Sequence, residues 1–453
     1  MFVRRRGPDV HGLVAARARQ FAERRKGNPG LHQRKRPQSH YVNLKDDPVV
    51  KNIVVVGGGH AAAQFCASVL EAGQPVKLTL ITEEGYLPYQ RPPLSKTFIK
   101  DENPQPAWLR PGSFYADNGI NVHVNTCVTA IDREVQQVTV NSGDTFPYDV
   151  LVLATGTRAR MLPLFEGEFS NVFTLRTIDD AQRLRDQIGA ANNVLVFGGG
   201  FIGLELAATA SALGKQVTVL EAADRLLGRS ASPEISDYLL RTHRANGIAI
   251  ELECRADRLE TADGVVKGAW VGDRFFAADV VVVGVGAVPN VELAQDAGLD
   301  CDNGIVVNEF MQTSDPAVYA IGDCTVFPSA MLGRRVRLES VQNANDQARC
   351  AARSILGDPS AYSAMPWFWS DQGATRIQIA GVPDAHHERA VRGNPADGKF
   401  SVLYFDGDRL TCAESINSPA DHLASRRLIA DKVVVDRAQA LDTSVALKTL
   451  GLA

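Results

Sequence analysis

The sequence predicts an α/β chain built on two doubly wound parallel sheets, with a smaller α+β domain towards its C-terminal end. Three observations predict this. A run of branched apolar residues, Ile53–Val56, leads into Gly57 and Gly59 and then into apolar residues at helical period. The same arrangement recurs at Val194–Phe197, followed by Gly198, Gly200 and Gly203. From Trp367 onward the pattern changes to alternating, strand-like runs.

The glycine turns carry chemistry. Gly57, Gly59 and Ala62 have G-x-G-x-x-A spacing. The first residue makes a tight turn, the second lets backbone approach a pyrophosphate, and the small third lets helix pack on strand. The helix N-terminus then faces the phosphate charge. Leu78–Ile81 reads as the next strand, and Glu83 follows it at about the 20-residue offset where an acid meets a ribose 2′-OH. In the second copy Val217–Leu220 is that strand and Glu221 that acid. An acid there repels a 2′-phosphate, so NADH is favoured over NADPH, although Arg225 and Arg229 stand nearby. Two dinucleotides on one chain suggest electron transfer from a nicotinamide to a flavin.

A length of 453 residues suits two to four domains, and 45% hydrophobic with 22% charged residues suits a globular enzyme. No apolar run approaches the roughly 18 residues of a membrane-spanning helix. Seven scattered cysteines (66, 127, 254, 301, 324, 350, 412) show neither C-x-x-C nor metal-ligand spacing, which argues for unpaired thiols in a reducing, cytoplasmic setting. Net charge is −4, but residues 1–45 carry twelve basic and two acidic side chains. Residues 1–47 are expected to be a disordered basic extension. A start codon assigned too far upstream and a dispensable tail explain it equally, ahead of targeting, and nothing else supports nucleic-acid binding.

Between the fingerprints, the paired prolines of Gln90–Lys96 force extended backbone, with a helix starting near Ser95. Lys96 is either a solvated residue or a fixed cation beside the flavin. Asn121–Val140 reads as alternating strand broken by a turn. Asp149–Gly156 is a buried strand ending in the small-residue turn Ala154, Thr155, Gly156, where a cofactor can approach. Arg158 and Arg176 are surface charges or neutralise a pyrophosphate. Glu205, in the first turn of the second glycine helix, is an acid at the positive helix end or an orienting group near the nicotinamide. Asp279–Gly286 parallels 149–156, and the chain then returns to the first domain, where Asp323 ends a strand and could accept from a ribityl hydroxyl. Trp367 and Trp369 pack a core or cover the flavin.

GGGHAA, LPYQRPPLSKTF, LVLATGTR, LRTIDDAQRL, GGGFIGLELA, AIGDC, LESVQNANDQA and PWFWSDQ, in that order, resemble the FAD-dependent ferredoxin reductases that serve Rieske dioxygenases and bacterial cytochrome P-450 enzymes. Rubredoxin reductases and apoptosis-inducing factor are more distant members. The resemblance covers about residues 48–450 and implies a glutathione-reductase-type fold. FAD-binding segments are then expected at 48–165 and 290–365, an NAD-binding domain at 166–289 and an interface domain at 366–453. It implies FAD contacts from Ala61, Glu83, Lys96, Val128, Arg176, Asp323 and Val341. Gly57, Gly59, Ala62, Arg91, Ala154, Thr155, Gly156, Arg158 and Trp369 are placed with them. NAD contacts are implied at Gly198, Ile202, Gly203, Glu221 and Gly286, with Gly200, Glu205 and Arg229 beside them. Lys96, Glu205 and Trp369 are the candidate catalytic residues. Ala62 stands where many members have glycine, and His60 inside the turn is unusual. No metal site is expected.

The implied reaction is hydride transfer from NADH to the flavin, then two single-electron transfers to a small iron–sulfur protein, a 2Fe–2S ferredoxin or a rubredoxin. The chain is expected to be a monomer or homodimer that engages neither membrane nor nucleic acid. Arg349 and Arg353, on one helix face, are docking candidates or simply solvated. Two rivals stand beside this reading. A disulfide reductase needs a redox cysteine that residues 84–100 lack, leaving Cys66 to check. A flavin-carrying signalling protein would turn NADH over slowly.

Overall fold

Residues 50–451 are described by a computed structural model; the basic extension expected over residues 1–47 lies outside them. Two five-stranded parallel sheets share one plan. The first runs Val318–Ala320, Val150–Leu153, Lys51–Val56, Val76–Ile81, Asn121–His123. The second runs Val172–Phe173, Val280–Val283, Asn193–Phe197, Gln216–Leu220, Ala249–Glu251. Each is centred on the strand that enters a glycine turn. Those strands read as unbroken apolar runs because both faces are covered: Ile53, Val55, Leu195 and Val196 are fully buried. Val318–Ala320 pairs with Val150–Leu153, so the chain completes the second sheet and returns to the first.

The glycine helices span His60–Glu71 and Phe201–Ala212. Gly59 and Gly200 cap them without any side-chain hydrogen bond, which leaves first-turn N–H groups available to an anion. Gly57 (φ +113°) and Gly198 (φ +103°) lie in the left-handed region, and a Cβ on Gly57 would sit 2.2 Å from the Ala154 carbonyl oxygen.

The stretch 121–140 is not one interrupted strand. Asn125, at φ +50°, turns the chain out of the parallel sheet after Asn121–His123. Val128–Asp132 and Gln137–Val140 then join Thr145–Pro147 in a three-stranded antiparallel sheet. A matching sheet, Arg258–Ala262, Val265–Val271 and Arg274–Ala277, stands at the same point of the second unit.

The C-terminal residues form a five-stranded antiparallel sheet, ordered Trp367–Gln372, Thr375–Gly381, Arg409–Ile416, Lys399–Asp406, Glu388–Asn394. Alternation divides its two faces. Leu403, Phe405 and Ala413 pack under the Pro419–Ala430 helix. Ile377, Ile379, Val402 and Tyr404 pack into the core of the second parallel unit, with Ile235 and Leu239 of the Pro233–Ala245 helix.

A buried carboxylate fastens that contact. Glu414 has no exposed surface, and both its oxygens accept from the Ser232 backbone N–H at 3.0 and 3.1 Å, at the cap of the Pro233–Ala245 helix. Burial pushes its carboxyl up to about 7. A carboxyl raised in the fold keeps its proton where the unfolded chain has lost it, so its contribution to stability weakens as pH rises from about 4.5 to 7. Glu414→Gln removes the ionisation. Its stability relative to wild type should improve between pH 5 and pH 8, by roughly 1–3 kcal/mol in urea melts. An equal difference at both pH values would count against an ionising Glu414.

Candidate active site

One cavity of about 1180 Å³ runs along the carboxyl ends of the first parallel sheet to the start of the second glycine helix. It is larger than most small-molecule sites and sits where open α/β sheets bind nucleotides. Of the residues expected at FAD, Gly57, Gly59, Ala61, Glu83, Arg91, Lys96, Val128, Ala154, Thr155, Gly156, Arg158, Arg176, Asp323, Val341 and Trp369 all line it. Ala62 does not. It faces the opposite way and is wholly buried in the core between helix and sheet, so its methyl group fills packing space.

The lining fits an anionic dinucleotide. A Cβ built on Gly59 meets no protein atom within 4 Å, so the backbone there is open to a pyrophosphate. Arg91 pairs with Glu84 at 2.6 Å and donates to the Arg176 carbonyl at 2.6 Å. Arg176 reaches Asp323 at 3.0 Å, joining two residues that the sequence offered separately. Arg158 pairs with Glu292 at 2.7 Å and is half exposed. Burial, with Arg91 and Arg176 nearby, pushes His60 down to about 4, so its ring is neutral beside the turn at pH 7.

The end of the cavity nearest the second unit holds Lys96, Glu205, Phe368 and Trp369. The helix begins at Phe201, so Glu205 lies beyond its first turn and is not held by the helix end. It is 5% exposed and pairs with Lys96 Nζ at 2.6 Å. Ser95 Oγ donates to Glu205 Oε2 at 2.6 Å and Ser370 Oγ to Oε1 at 2.7 Å. Sequence reasoning missed Ser95 and Ser370; each is the chain neighbour of a residue it had marked. It also missed the link between Lys96 and Glu205. Trp369 lies against Trp367, ring centroids 5.6 Å apart, with the Arg426 guanidinium over the Trp367 ring.

The glycines of the second fingerprint lie outside the cavity, which its helix reaches through Phe201, through Ile202, which is 45% exposed, and through Glu205. A Cβ on Gly203 would meet the Gly198 carbonyl oxygen at 2.2 Å, the helix–strand contact the spacing requires. Glu221 accepts from the Gly199 N–H at 2.6 Å and the Ala223 N–H at 2.7 Å, which fixes its carboxylate beside the turn. Arg225 is committed to Ala231, Ser236 and Gly228 and makes no ion pair with Glu221. The Arg229 guanidinium lies beside Gly286.

All seven cysteines are free. Cys66 has no exposed surface and burial pushes its thiol up to about 12, so it cannot serve as a redox thiol. Cys127 lines the cavity, but burial and Glu83 push its thiol up too. Among the described residues there is no cluster that could hold a metal, and no helix is long and apolar enough to cross a membrane.

Residues 51–348 match the pyridine nucleotide-disulphide oxidoreductase model, and residues 367–451 match the reductase C-terminal model. The chain belongs to this reductase family. It is similar to rhodocoxin reductase of Rhodococcus erythropolis, 40% identical over 88% of this chain and 93% of the relative. It is 42% identical to the ferredoxin–NAD(+) reductase component of the anthranilate 1,2-dioxygenase system of Burkholderia cepacia, over 87% of this chain and 98% of that one. Putidaredoxin reductase, solved in covalent complex with putidaredoxin, superposes with a TM-score of 0.85 at 38% identity, over 88% of this chain and 97% of that one. Reductases of this family use FAD and NADH.

The buried pair gives a direct test. Lys96→Met leaves Glu205 buried without its cation and should cost about 3 kcal/mol in apoprotein stability. Adding Glu205→Gln should return most of that loss in thermal melts. A Lys96→Met variant as stable as wild type would show that the two side chains are not energetically coupled.

Proposed function

We propose that this reductase passes electrons from NADH through FAD to a small iron–sulfur carrier, a ferredoxin or a rubredoxin, that feeds an oxygenase. One observation carries the reading: a single cavity is lined both by the first glycine turn and, through Phe201, Ile202 and Glu205, by the helix of the second. The two dinucleotides therefore meet end to end. Bound FAD would supply acceptance of two electrons as hydride and their release one at a time.

The chain's own residues do the rest. Gly57, Gly59 and the His60–Glu71 helix N-terminus receive the pyrophosphate, with Arg91 and Arg176 as counter-charges. Asp323 accepts from the ribityl chain and Glu83 from the adenosine ribose. Gly200 and the N-terminus of the Phe201–Ala212 helix receive the NADH pyrophosphate, Gly198 and Gly203 shape the turn beneath it, and Glu221 accepts from the free 2′-OH. Glu205 and Lys96 fix the charge around the reacting ring, and Trp369 walls it from water. The carrier docks on the face of the Val341–Ile355 helix that presents Arg349 and Arg353. Each is about half exposed and paired with an aspartate, Asp346 at 2.6 Å and Asp358 at 2.8 Å, so an acidic partner would have to compete with those acids. We place the protein in the cytoplasm, as a monomer or homodimer.

Stopped-flow reduction of the yellow holoprotein should be fast with NADH and slow with NADPH, and ferredoxin should then be needed for cytochrome c reduction. Slow bleaching with NADH and no ferredoxin dependence would refute the reading. Glu221→Ala should narrow the preference for NADH over NADPH by about tenfold or more, read as kcat/KM for each. Arg349→Glu should raise the KM for ferredoxin and flatten its salt dependence, with NADH-to-ferricyanide activity retained. Unchanged coupling to ferredoxin would remove Arg349 from the docking face.

A further inference from the structure

Behind Glu205 a chain of buried hydrogen bonds runs away from the cavity. Ser370 Oγ, which donates to Glu205, accepts from Gln372 Nε2 at 3.3 Å. Gln372 Oε1 in turn lies 2.8 Å from Nε2 of His243, in the last turn of the Pro233–Ala245 helix. His243 is 2% exposed, Gln372 2% and Ser370 not at all. We propose that His243 is a positioning residue for Glu205: by donating to Gln372 it sets the direction of every hydrogen bond from there to the carboxylate. The inference rests on the reading of Glu205 as a group that acts at the nicotinamide.

The direction follows from which donors can be buried. His243 Nδ1 has no hydrogen-bond partner among the described residues. A buried N–H without an acceptor is costlier than a bare ring nitrogen, so the proton sits on Nε2 and Nδ1 is left bare. Burial pushes His243 down, which keeps the ring neutral and this choice open to it. With Nε2–H donating, Gln372 must present its carbonyl to the histidine and its amide to Ser370. Ser370 then receives one hydrogen and has only its own to give, and it gives it to Glu205. Were the proton on Nδ1, Gln372 would turn over and offer its carbonyl to Ser370. That carbonyl would compete for the hydroxyl hydrogen and face the Ser370 oxygen with its own, weakening the donation to Glu205 Oε1. A primary amide does not relay protons readily, so the chain orients Glu205 and does not carry protons from it. The helix bearing His243 is anchored at its other end by Glu414 on Ser232, which holds the ring in register with the sheet.

Three full-length holoproteins test this by stopped-flow reduction with saturating NADH. His243→Leu should lower the limiting rate of flavin reduction about tenfold, with NADH affinity and FAD content unchanged. His243→Gln, which returns a donor near the Nε2 position, should recover to within about twofold. Ser370→Ala should be as slow as His243→Leu, and the double variant no slower than Ser370→Ala alone, because both act through one bond. A wild-type rate in His243→Leu, or additive losses in the double variant, would overturn the inference. Where His243→Leu does not accumulate, His243→Gln against Ser370→Ala carries the test, and a tenfold loss in His243→Gln overturns it. Glu205→Gln separates the layers: slow reduction there with a normal His243→Leu removes His243 alone, while normal reduction in Glu205→Gln removes the underlying reading as well. Independently of turnover, 15N-histidine NMR of the holoprotein should show His243 as the Nε2–H tautomer at pH 7. A proton on Nδ1, or an imidazolium, would refute the assignment.

Discussion

A carboxylate taken out of water needs a cation and donors for its lone pairs, or the fold that buries it is strongly penalised. Glu205 finds its cation in Lys96 and its donors in Ser95 and Ser370. Glu205 itself belongs to the second parallel unit, Lys96 and Ser95 to the proline segment between two strands of the first sheet, and Ser370 to the C-terminal sheet. Satisfying one carboxylate therefore requires all three to meet at one point, and that point is the end of the large cavity. Thr209 adds to the same junction by donating to the Ser95 carbonyl at 2.8 Å. The electrostatic demand of Glu205 is met where the two parallel units and the C-terminal sheet converge.

The repeated plan explains how the cofactor ends are presented. In both units the glycine turn sits at the carboxyl end of the central strand, and the helix that follows has no side-chain cap. A helix left uncapped in this way leaves N–H groups for a phosphate to satisfy. The two copies differ in their surroundings. The first opens into the cavity with Arg91, Arg176 and Asp323 converging on it, while the glycines of the second lie outside it, with Glu221 fixed by two backbone N–H groups.

Several surface arginines carry their own counter-charge. Arg349 and Arg353 each have an aspartate within 3 Å, as Arg158 has Glu292. Such exposed pairs contribute little to stability and are weakened by salt. They are exchangeable, so an acidic partner can take over an arginine at modest cost.

The sequence by itself determined the repeated strand–turn–helix units, the cofactor class they serve and the glycine turns and strand-end acids that mark each unit. Those features are local: a glycine at φ +113°, a strand of branched residues and an acid at a strand end are set by their near neighbours in the chain. Even the misplaced Ala62 was read correctly as a packing residue, and failed only where helix rotation decides which side chain meets the cofactor. Tertiary structure alone decided the pairings. Lys96 with Glu205, Arg176 with Asp323 and His243 with Gln372 join residues far apart in sequence. No periodicity or spacing encodes them, because each exists only where separate units pack and a buried polar group must find its partner. The break at Asn125 was lost for the opposite reason: one left-handed residue redirects a strand without disturbing its alternating pattern.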